Sequence, residues 1–249
     1  MIVIKNKAAI LKMETAARKL AEIFKELEPI VKAGVSTLEI DAAVVKKLSE
    51  KGLVSRCKGY LGYQHVTCIS VNEEVVHGVP RAEKIIKDGD LVKIDICASW
   101  KSYCADMARC FFIGTASEEM KKLVAVAQES LDKGIEQAIV GNRVSDISAA
   151  VQKEVEKHGF GVVRDFAGHG IGKSLHEDPE VLNYGKPGQG PLLRAGMTLA
   201  IEPMITQGKF DVYITQDGWT VKTEDKSWAA HVEDTVLITE SGPKILTRL

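Results

Sequence analysis

Apolar residues recur at helical spacing in four segments of the chain and form short strand-like runs elsewhere. The helical spacing predicts helices over approximately residues 7–31, 36–51, 117–139 and 145–158. Runs rich in β-branched and aromatic residues predict strands over 66–71, 91–99 and 104–113, with further strands after the fourth helix. Helices and strands in separate groups, without strict alternation, indicate the α+β class.

The pattern repeats after 107 residues. Residues 34–52 align at this offset with residues 141–159, and seven of the nineteen positions are identical. Chance similarity between two amphipathic helices would explain that match alone. The same offset, however, superposes Asp95 on Glu202 inside a second matching segment. An internal duplication is therefore the favoured interpretation.

The repeat predicts a single domain over residues 1–249, built of two pseudo-symmetric halves at about 10–115 and 117–240. Helices segregated to one side would leave an antiparallel sheet curved around a central site at the pseudo-twofold axis. The segment 185–191, rich in Gly and Pro, predicts a loop within this domain.

Composition and charge exclude several classes of function. The 33 basic and 34 acidic residues nearly cancel, so no overall charge favours binding to nucleic acid or an anionic membrane. No run of about 18 apolar residues and no export signal are recognisable. Five cysteines without a CxxC pair suit reduced thiols. We expect a cytoplasmic protein with no nucleic-acid or membrane partner.

Four acidic residues interrupt strand-like apolar runs. Asp95 and Asp106 lie in two runs that a hairpin would bring side by side, and Glu202 and Glu233 lie in later runs. A buried, unpaired carboxylate is costly, so each should have a positive partner. A shared proton, or exposure on an edge strand, would also explain a single acid. Recurrence at four positions favours a divalent metal ion.

Histidine would complete such a site, because carboxylates with an imidazole suit Mn²⁺, Fe²⁺, Co²⁺ or Zn²⁺. His231 lies two residues before Glu233 and therefore on the same face of a strand. From there it could hydrogen-bond a metal ligand without binding the ion itself. His158 is interpreted as a helix-capping or surface residue. Besides His65, the remaining candidates lie in predicted Gly- or Pro-rich turns: His77, His169 and His176.

Residues 167–174, AGHGIGKS, match the loose pattern of a phosphate-binding loop. Such a loop must open a helix, but Pro179 follows shortly, and Glu177 and Asp178 would place negative charge where phosphate should bind. Nucleotide binding is therefore not favoured. We expect the glycines to let the backbone turn tightly around His169.

Four motifs, GHGIGKSLHEDP, SVNEEVVHGVP, LAIEPM and TEDKSWAAHVEDT, together resemble those of the type I methionine aminopeptidases of the bacterial form. The resemblance extends from about Ile10 to Ile238. It implies the pita-bread fold and a hydrolase, a methionyl aminopeptidase. Such an enzyme removes the initiator methionine from nascent polypeptides with a small second residue, by means of a metal-bridged hydroxide.

The resemblance also implies a dinuclear metal centre. Asp106 and Glu233 would bridge two divalent ions, Asp95 would chelate one, and His169 with Glu202 would hold the other. The ions expected are Co, Mn, Fe, Zn or Ni, and the motifs do not distinguish among them.

By the same resemblance, three residues would act in catalysis. Glu202 would accept and pass on a proton, His77 would hydrogen-bond the scissile amide, and His176 would stabilise the oxyanion or orient the substrate. Soft sulfur atoms and aromatic rings suit the thioether of methionine. Beside the two histidines, the expected pocket residues are Cys57, Tyr60, Tyr63, Cys68, Leu175 and Trp219.

Four positions depart from the family pattern. Leu61 replaces a common histidine, Leu175 a phenylalanine, Cys97 a threonine and His231 a glutamine. These changes concern the pocket and the surroundings of the metal site, so they bear on selectivity and leave the expected reaction unchanged.

The expected partner is the N-terminal methionine of nascent peptides, and transient association of a monomer with the ribosome is compatible with that activity. Two alternatives remain. A prolidase or aminopeptidase P would usually have an extra N-terminal domain and longer spacing in its histidine motifs. A binding protein with the same fold and no chemistry is disfavoured by the intact ligand set and the lack of a basic tail.

Overall fold

A computed structural model describes residues 1–249, which form four α-helices and fourteen strands. The helices are α1 (Lys7–Leu27), α2 (Thr37–Glu50), α3 (Glu118–Glu136) and α4 (Val144–Lys157). All four predicted helices are present; α1, α2 and α3 are two to four residues shorter than predicted, and α4 has the predicted length, displaced by one residue. None is long and apolar enough to cross a membrane.

The strands fall into three groups along the chain. Before α3 lie β1 (Val54–Ser55), β2 (Cys68–Val71), β3 (Leu91–Trp100) and β4 (Tyr103–Phe112). After α4 lie β5 (Gly161–Val162), β6 (Gly168–Gly170), β7 (Glu177–Val181), β8 (Thr198–Ile201) and β9 (Met204–Thr206). The last are β10 (Val212–Ile214), β11 (Val221–Thr223), β12 (Ala229–His231), β13 (Glu233–Thr239) and β14 (Gly242–Ile245).

Nine strands form the main sheet, in the order β1-β3-β4-β13-β8-β6-β7, with β2 on β3 and β14 on β13. Every pairing is antiparallel. The central neighbours β4, β13 and β8 come from distant parts of the chain, so the sheet brings residues of both predicted halves together. The predicted α+β class with an antiparallel sheet is confirmed.

Two apolar clusters hold the helices against the sheet. In the first, Leu20 of α1 and Ile40 of α2 pack with Ile94 of β3. In the second, Leu131 of α3 and Val151 of α4 pack with strands β8 and β13. Helices α2 and α4 begin and end 107 residues apart, which is compatible with the internal duplication that we propose.

A buried ionic cluster holds β13 against β4 and the C-terminus. Asp234, which has no exposed surface, accepts hydrogen bonds from Arg109 Nη2 at 2.5 Å, Arg248 Nε at 2.7 Å and Thr247 Oγ1 at 2.7 Å. Arg109 Nη1 also donates to the carbonyl of Glu233 at 2.5 Å. This cluster therefore fixes the register of the strand that carries Glu233.

We expect Asp234→Asn to lower the free energy of unfolding by about 1–3 kcal/mol, because it leaves two partly exposed guanidinium groups without the buried carboxylate that they share. Asp132→Asn is the matched control, since Asp132 binds the same Arg248 but is 43% exposed. It should cost no more than about 1 kcal/mol. Urea unfolding followed by circular dichroism measures both, and equal losses would contradict the role assigned to Asp234.

Candidate metal centre

The hairpin of β3 and β4 supplies the first two acids. Asp95 lies opposite Ala108, and Cys97 lies opposite Asp106. Side chains two residues apart on a strand share a face, so Asp95 and Asp106 project to the same side as diagonal neighbours. The predicted hairpin is confirmed.

The other two acids lie on the neighbouring strands. Glu233 is the first residue of β13 and lies opposite Ala108. Because Ala108 is two residues after Asp106 on β4, Glu233 and Asp106 are diagonal neighbours on one face of the sheet. Glu202 directly follows β8, and Asp234 lies opposite Ile201 on that strand. The strand order thus places Asp106, Glu202 and Glu233, which are distant in sequence, side by side.

The imidazole of His169 approaches this group from β6, where His169 pairs with Ala200 of β8. Its Nδ1 donates to the carbonyl of Gly170 at 2.8 Å, which fixes the tautomer and leaves Nε2 unprotonated, with its lone pair free to bind a metal ion. This Nε2 lies 3.6 Å from Glu202 Oε1 and 3.8 Å from Asp106 Oδ2.

The predicted turn around His169 is wrong, because Gly168, His169 and Gly170 form strand β6. A Cβ on Gly168 would lie 2.4 Å from the carbonyl oxygen of Ala200, and one on Gly170 would lie 2.1 Å from that of Asp178. The two glycines therefore allow the adjacent strands to approach closely. That approach brings the imidazole within reach of the acids.

No helix follows AGHGIGKS. After Ser174 the chain enters strand β7, so the segment offers no helix N-terminus to a phosphate. This agrees with the expectation that the segment does not bind a nucleotide.

The predicted positive partners of the acids are not side chains. No lysine or arginine pairs with the four carboxyl groups; imidazole nitrogens lie 3.4–3.8 Å from carboxyl oxygens of Asp106 and Glu202, and the backbone N–H of Met107 donates to Asp106 Oδ1 at 3.1 Å. Glu233 Oε1 is buried without a hydrogen-bond partner in the protein. Oxygen donors of this kind, together with imidazole nitrogen, suit a divalent cation. The residues present therefore fit a metal centre.

At this site, two sets of side chains have potential ligand atoms within 4.8 Å of one another. They are Asp106, His169 and Glu233, and Glu202, His231 and Glu233. Glu233 belongs to both, which suits a carboxylate shared by two ions. Asp95 lines the same cavity, so all five predicted ligands lie together.

The surroundings shift the protonation of these groups. Burial raises the pKa of Asp106 to about 7 and that of Glu202 to about 8. Burial, and then the charge of Asp106, raise the pKa values of Asp95 and Glu233. Burial lowers the pKa of His169 to about 3, so its imidazole is neutral near pH 7, the form that binds metal ions.

A cavity of about 310 Å³ opens beside the acids. Tyr63 contacts Trp219 edge to face at 4.9 Å between ring centroids, and its hydroxyl donates to the carbonyl of Thr67 at 2.9 Å. Burial raises the pKa of Cys57 and Cys68, so both thiols stay protonated. All six predicted pocket residues line the cavity: Cys57, Tyr60, Tyr63, Cys68, Leu175 and Trp219.

Three of the four unusual residues lie at this cavity. Leu61 is 80% exposed, so it stands at the cavity mouth, and Leu175 is part of the wall. Cys97 is buried opposite Asp106, and burial raises the pKa of its thiol, as expected for a packed side chain. All five cysteines are free thiols.

The two predicted catalytic histidines flank the acids. The rings of His176 and His169 are 4.4 Å apart, and His176 Nδ1 lies 2.9 Å from the hydroxyl of Tyr60. His77 has φ of 57°, an uncommon conformation that is found at functional sites. Its ring packs edge to face on Phe166 at 5.4 Å.

Three cavity-lining residues were not predicted from the sequence: Phe166, Ala167 and Met204. Phe166 immediately precedes AGHGIGKS, and Met204 ends the motif LAIEPM. Their positions at the edges of these motifs were the available signal. His65 and His158 lie elsewhere, beside Asp41 at 3.3 Å and Glu154 at 3.0 Å. His158 caps α4, as predicted.

An antiparallel sheet with carboxylates and imidazoles around one cavity is the arrangement expected of a metal-dependent hydrolase. The profile of metallopeptidase family M24 matches residues 11–240, and the chain belongs to this family. It is similar to the methionine aminopeptidase of Clostridium acetobutylicum, with 47% identity over 247 residues and 99% of each chain covered. Methionine aminopeptidase 1 of Bacillus subtilis is 44% identical over 249 residues, covering 100% of both chains.

A solved structure gives the same result for the fold. The methionine aminopeptidase of Thermotoga maritima superposes with a TM-score of 0.98 at 43% identity, and 100% of each chain is covered. The predicted pita-bread fold and the resemblance to this family are confirmed.

We expect the metal-free protein to be less stable at about pH 8.5 than at about pH 7. Because the pKa values of Asp106 and Glu202 are raised to about 7 and about 8, the folded chain binds more protons than the unfolded chain there. Its free energy of unfolding therefore falls as the pH rises through these values. Added Co²⁺ should stabilise more at the higher pH, since fewer protons must be displaced.

Urea unfolding at both pH values, with chelator or with Co²⁺, tests this expectation. The double variant Asp106→Asn/Glu202→Gln is the control and should lose most of the pH dependence. A metal-free protein whose stability does not fall between the two pH values would contradict the raised pKa values.

Proposed function

We propose that this chain removes the N-terminal methionine from polypeptides whose second residue is small, in a metal-dependent reaction. One observation carries the proposal: the carboxylate and imidazole cluster forms the wall of a cavity lined by sulfur and aromatic side chains. Relatives at 44–47% identity over the full chain are methionine aminopeptidases. Residues 1–249 would form a single catalytic domain.

The proposed metal ligands are Asp95, Asp106, His169, Glu202 and Glu233. Their donor atoms suit two divalent ions, which could be Co, Mn, Fe, Zn or Ni. When bound, such ions act as Lewis acids and lower the pKa of water toward neutrality. Asp106 and Glu233, on adjacent strands, would be shared between the two ions.

Glu202 is the proposed proton carrier. Its carboxylate borders the cavity, with Oε1 near His169 and Oε2 near His231. From this position it can take a proton from the attacking water and return it to the leaving amine. Both transfers fall within reach of one side chain, which would couple attack to release.

His77 and His176 would act on the substrate. The Tyr60 hydroxyl at Nδ1 orients the His176 ring and leaves Nε2 for the oxyanion of the tetrahedral intermediate. His77, which lines the cavity and packs against Phe166, would hydrogen-bond the scissile amide. Burial lowers the pKa of His77 to about 4, so it would act as a neutral imidazole.

The methionine side chain would occupy the cavity. Its thioether would contact the rings of Tyr63 and Trp219 and the thiols of Cys57 and Cys68, which are soft and polarizable partners. The cavity volume of about 310 Å³ lies at the lower end of the usual range for ligand pockets, about 300–1,000 Å³. A single side chain suits this size better than an extended peptide.

The cellular setting is part of the same proposal. An enzyme acting on initiator methionine would meet its substrate where polypeptides are synthesised. We therefore propose a cytoplasmic monomer that associates transiently with the ribosome. No nucleic acid or membrane partner is proposed, since the positive and negative charges of the chain nearly cancel.

We expect metal-free protein to be inactive, and Mn²⁺, Co²⁺ or Fe²⁺ to restore methionine release from Met-Ala-Ser but not from Met-Leu-Ser. The bulky leucine of Met-Leu-Ser should prevent the scissile bond from reaching the carboxylate cluster. Release of free methionine, measured chromatographically, is the readout. Failure to cleave the first peptide with any divalent ion would rule out the proposed function, and preferential cleavage of Xaa-Pro peptides would favour a prolidase.

A Glu233→Gln variant should lose at least about 100-fold in activity, beyond the 10–100-fold typical of residues that only support a metal ligand. Replacing the carboxylate by an amide preserves the shape of the side chain and removes its negative charge, and Glu233 belongs to both ligand sets. Glu240→Gln, at an exposed position just after β13, is the matched control and should retain full activity. Turnover by Glu233→Gln close to that of the control would remove Glu233 from the ligand set.

A further inference from the structure

One imidazole at the centre has no role in the proposed function. His231 ends strand β12, where it lies opposite Met204 of β9. It is 2% exposed, and its Nε2 is buried without a hydrogen-bond partner in the protein. Leaving a buried polar nitrogen unpaired costs about 1–3 kcal/mol, so its retention calls for a function.

The position of His231 mirrors that of His169 across Glu202. His231 Nε2 lies 3.4 Å from Glu202 Oε2, and His169 Nε2 lies 3.6 Å from Glu202 Oε1. One carboxylate thus has an imidazole at each oxygen. The potential ligand atoms of Glu202, His231 and Glu233 are also within 4.8 Å of one another, as are those of Asp106, His169 and Glu233.

The distances favour shared coordination over a direct hydrogen bond. An N–H···O hydrogen bond measures about 2.7–3.2 Å, which is shorter than the 3.4 Å between His231 and Glu202. Two ligand atoms at about 2.1 Å from one ion, at ordinary coordination angles, lie about 3.0–3.4 Å apart. The observed separation agrees with this second value.

We propose that His231 Nε2 is a sixth protein donor of the metal centre, a ligand of the ion held by Glu202 and Glu233. The inference rests on the proposed metal-dependent function and extends it. Imidazole favours Zn²⁺, Co²⁺, Fe²⁺ and Ni²⁺ over Mn²⁺, and the centre should shift its preference accordingly.

Proton NMR of the Co²⁺-loaded protein tests ligation directly. An imidazole bound to Co²⁺ gives a strongly shifted, solvent-exchangeable N–H resonance. The wild-type protein should show two such resonances, from His169 and His231, and the count does not depend on the folding of any variant. His231→Gln should show one, whereas His158→Gln, altered at an imidazole outside the centre, should show both.

A single resonance in the wild-type protein, or two in His231→Gln, would overturn the inference. Calorimetric titration supplies a second measurement. His231→Gln should weaken Co²⁺ binding about 10-fold or more and Mn²⁺ binding by less, because a nitrogen donor matters more to Co²⁺. Equal weakening of both ions would instead mean that His231 only orients Glu202, and would also overturn it.

The two proposals fail in different ways. Absence of any Co²⁺ binding by the wild-type protein would contradict the metal centre itself, and with it the proposed function. Normal Co²⁺ binding and methionine release with only one shifted imidazole resonance would contradict the role of His231 alone.

Discussion

The burial of four carboxyl groups around one point is the constraint on which the site depends. Asp95, Asp106, Glu202 and Glu233 repel one another as they ionise, and the protein provides no lysine or arginine among them. Such a cluster is tolerated in two ways, by holding protons or by holding cations. The neutral imidazole of His169 and the unpaired oxygen of Glu233 favour cations.

The strand order of the main sheet brings these four carboxyl groups together. Strands β3, β4 and β13 each carry one of the acids, and Glu202 directly follows β8. Strand β6 adds the imidazole only because its glycines let β7 and β8 come close. Asp234, held by two arginines on the opposite side of β13, fixes the strand without placing positive charge in the site. The successive residues Glu233 and Asp234 point to opposite faces of β13, so the site carboxylate and the structural ion pairs stay apart.

Part of this arrangement was readable from the sequence. Acids interrupting apolar runs marked Asp95 and Asp106, and the two runs lay close enough along the chain to predict their hairpin. The order of β4, β13, β8 and β6 could not be predicted residue by residue, because the pairing strands are distant in sequence and no local signal selects their partners. Strand β6 is three residues long, too short for a periodic pattern, so its glycines suggested a turn. The positive partner expected for these acids fits a divalent ion, which recurrence of carboxylates at four positions had indicated.

The central claim is that this cluster holds two divalent ions. Crystals of the protein loaded with Mn²⁺, examined by anomalous scattering, test it most directly. The account predicts two peaks about 3.5–4 Å apart, both in contact with Asp106 and Glu233. No peak at the cluster, with the four carboxyl groups in their present positions, would contradict it.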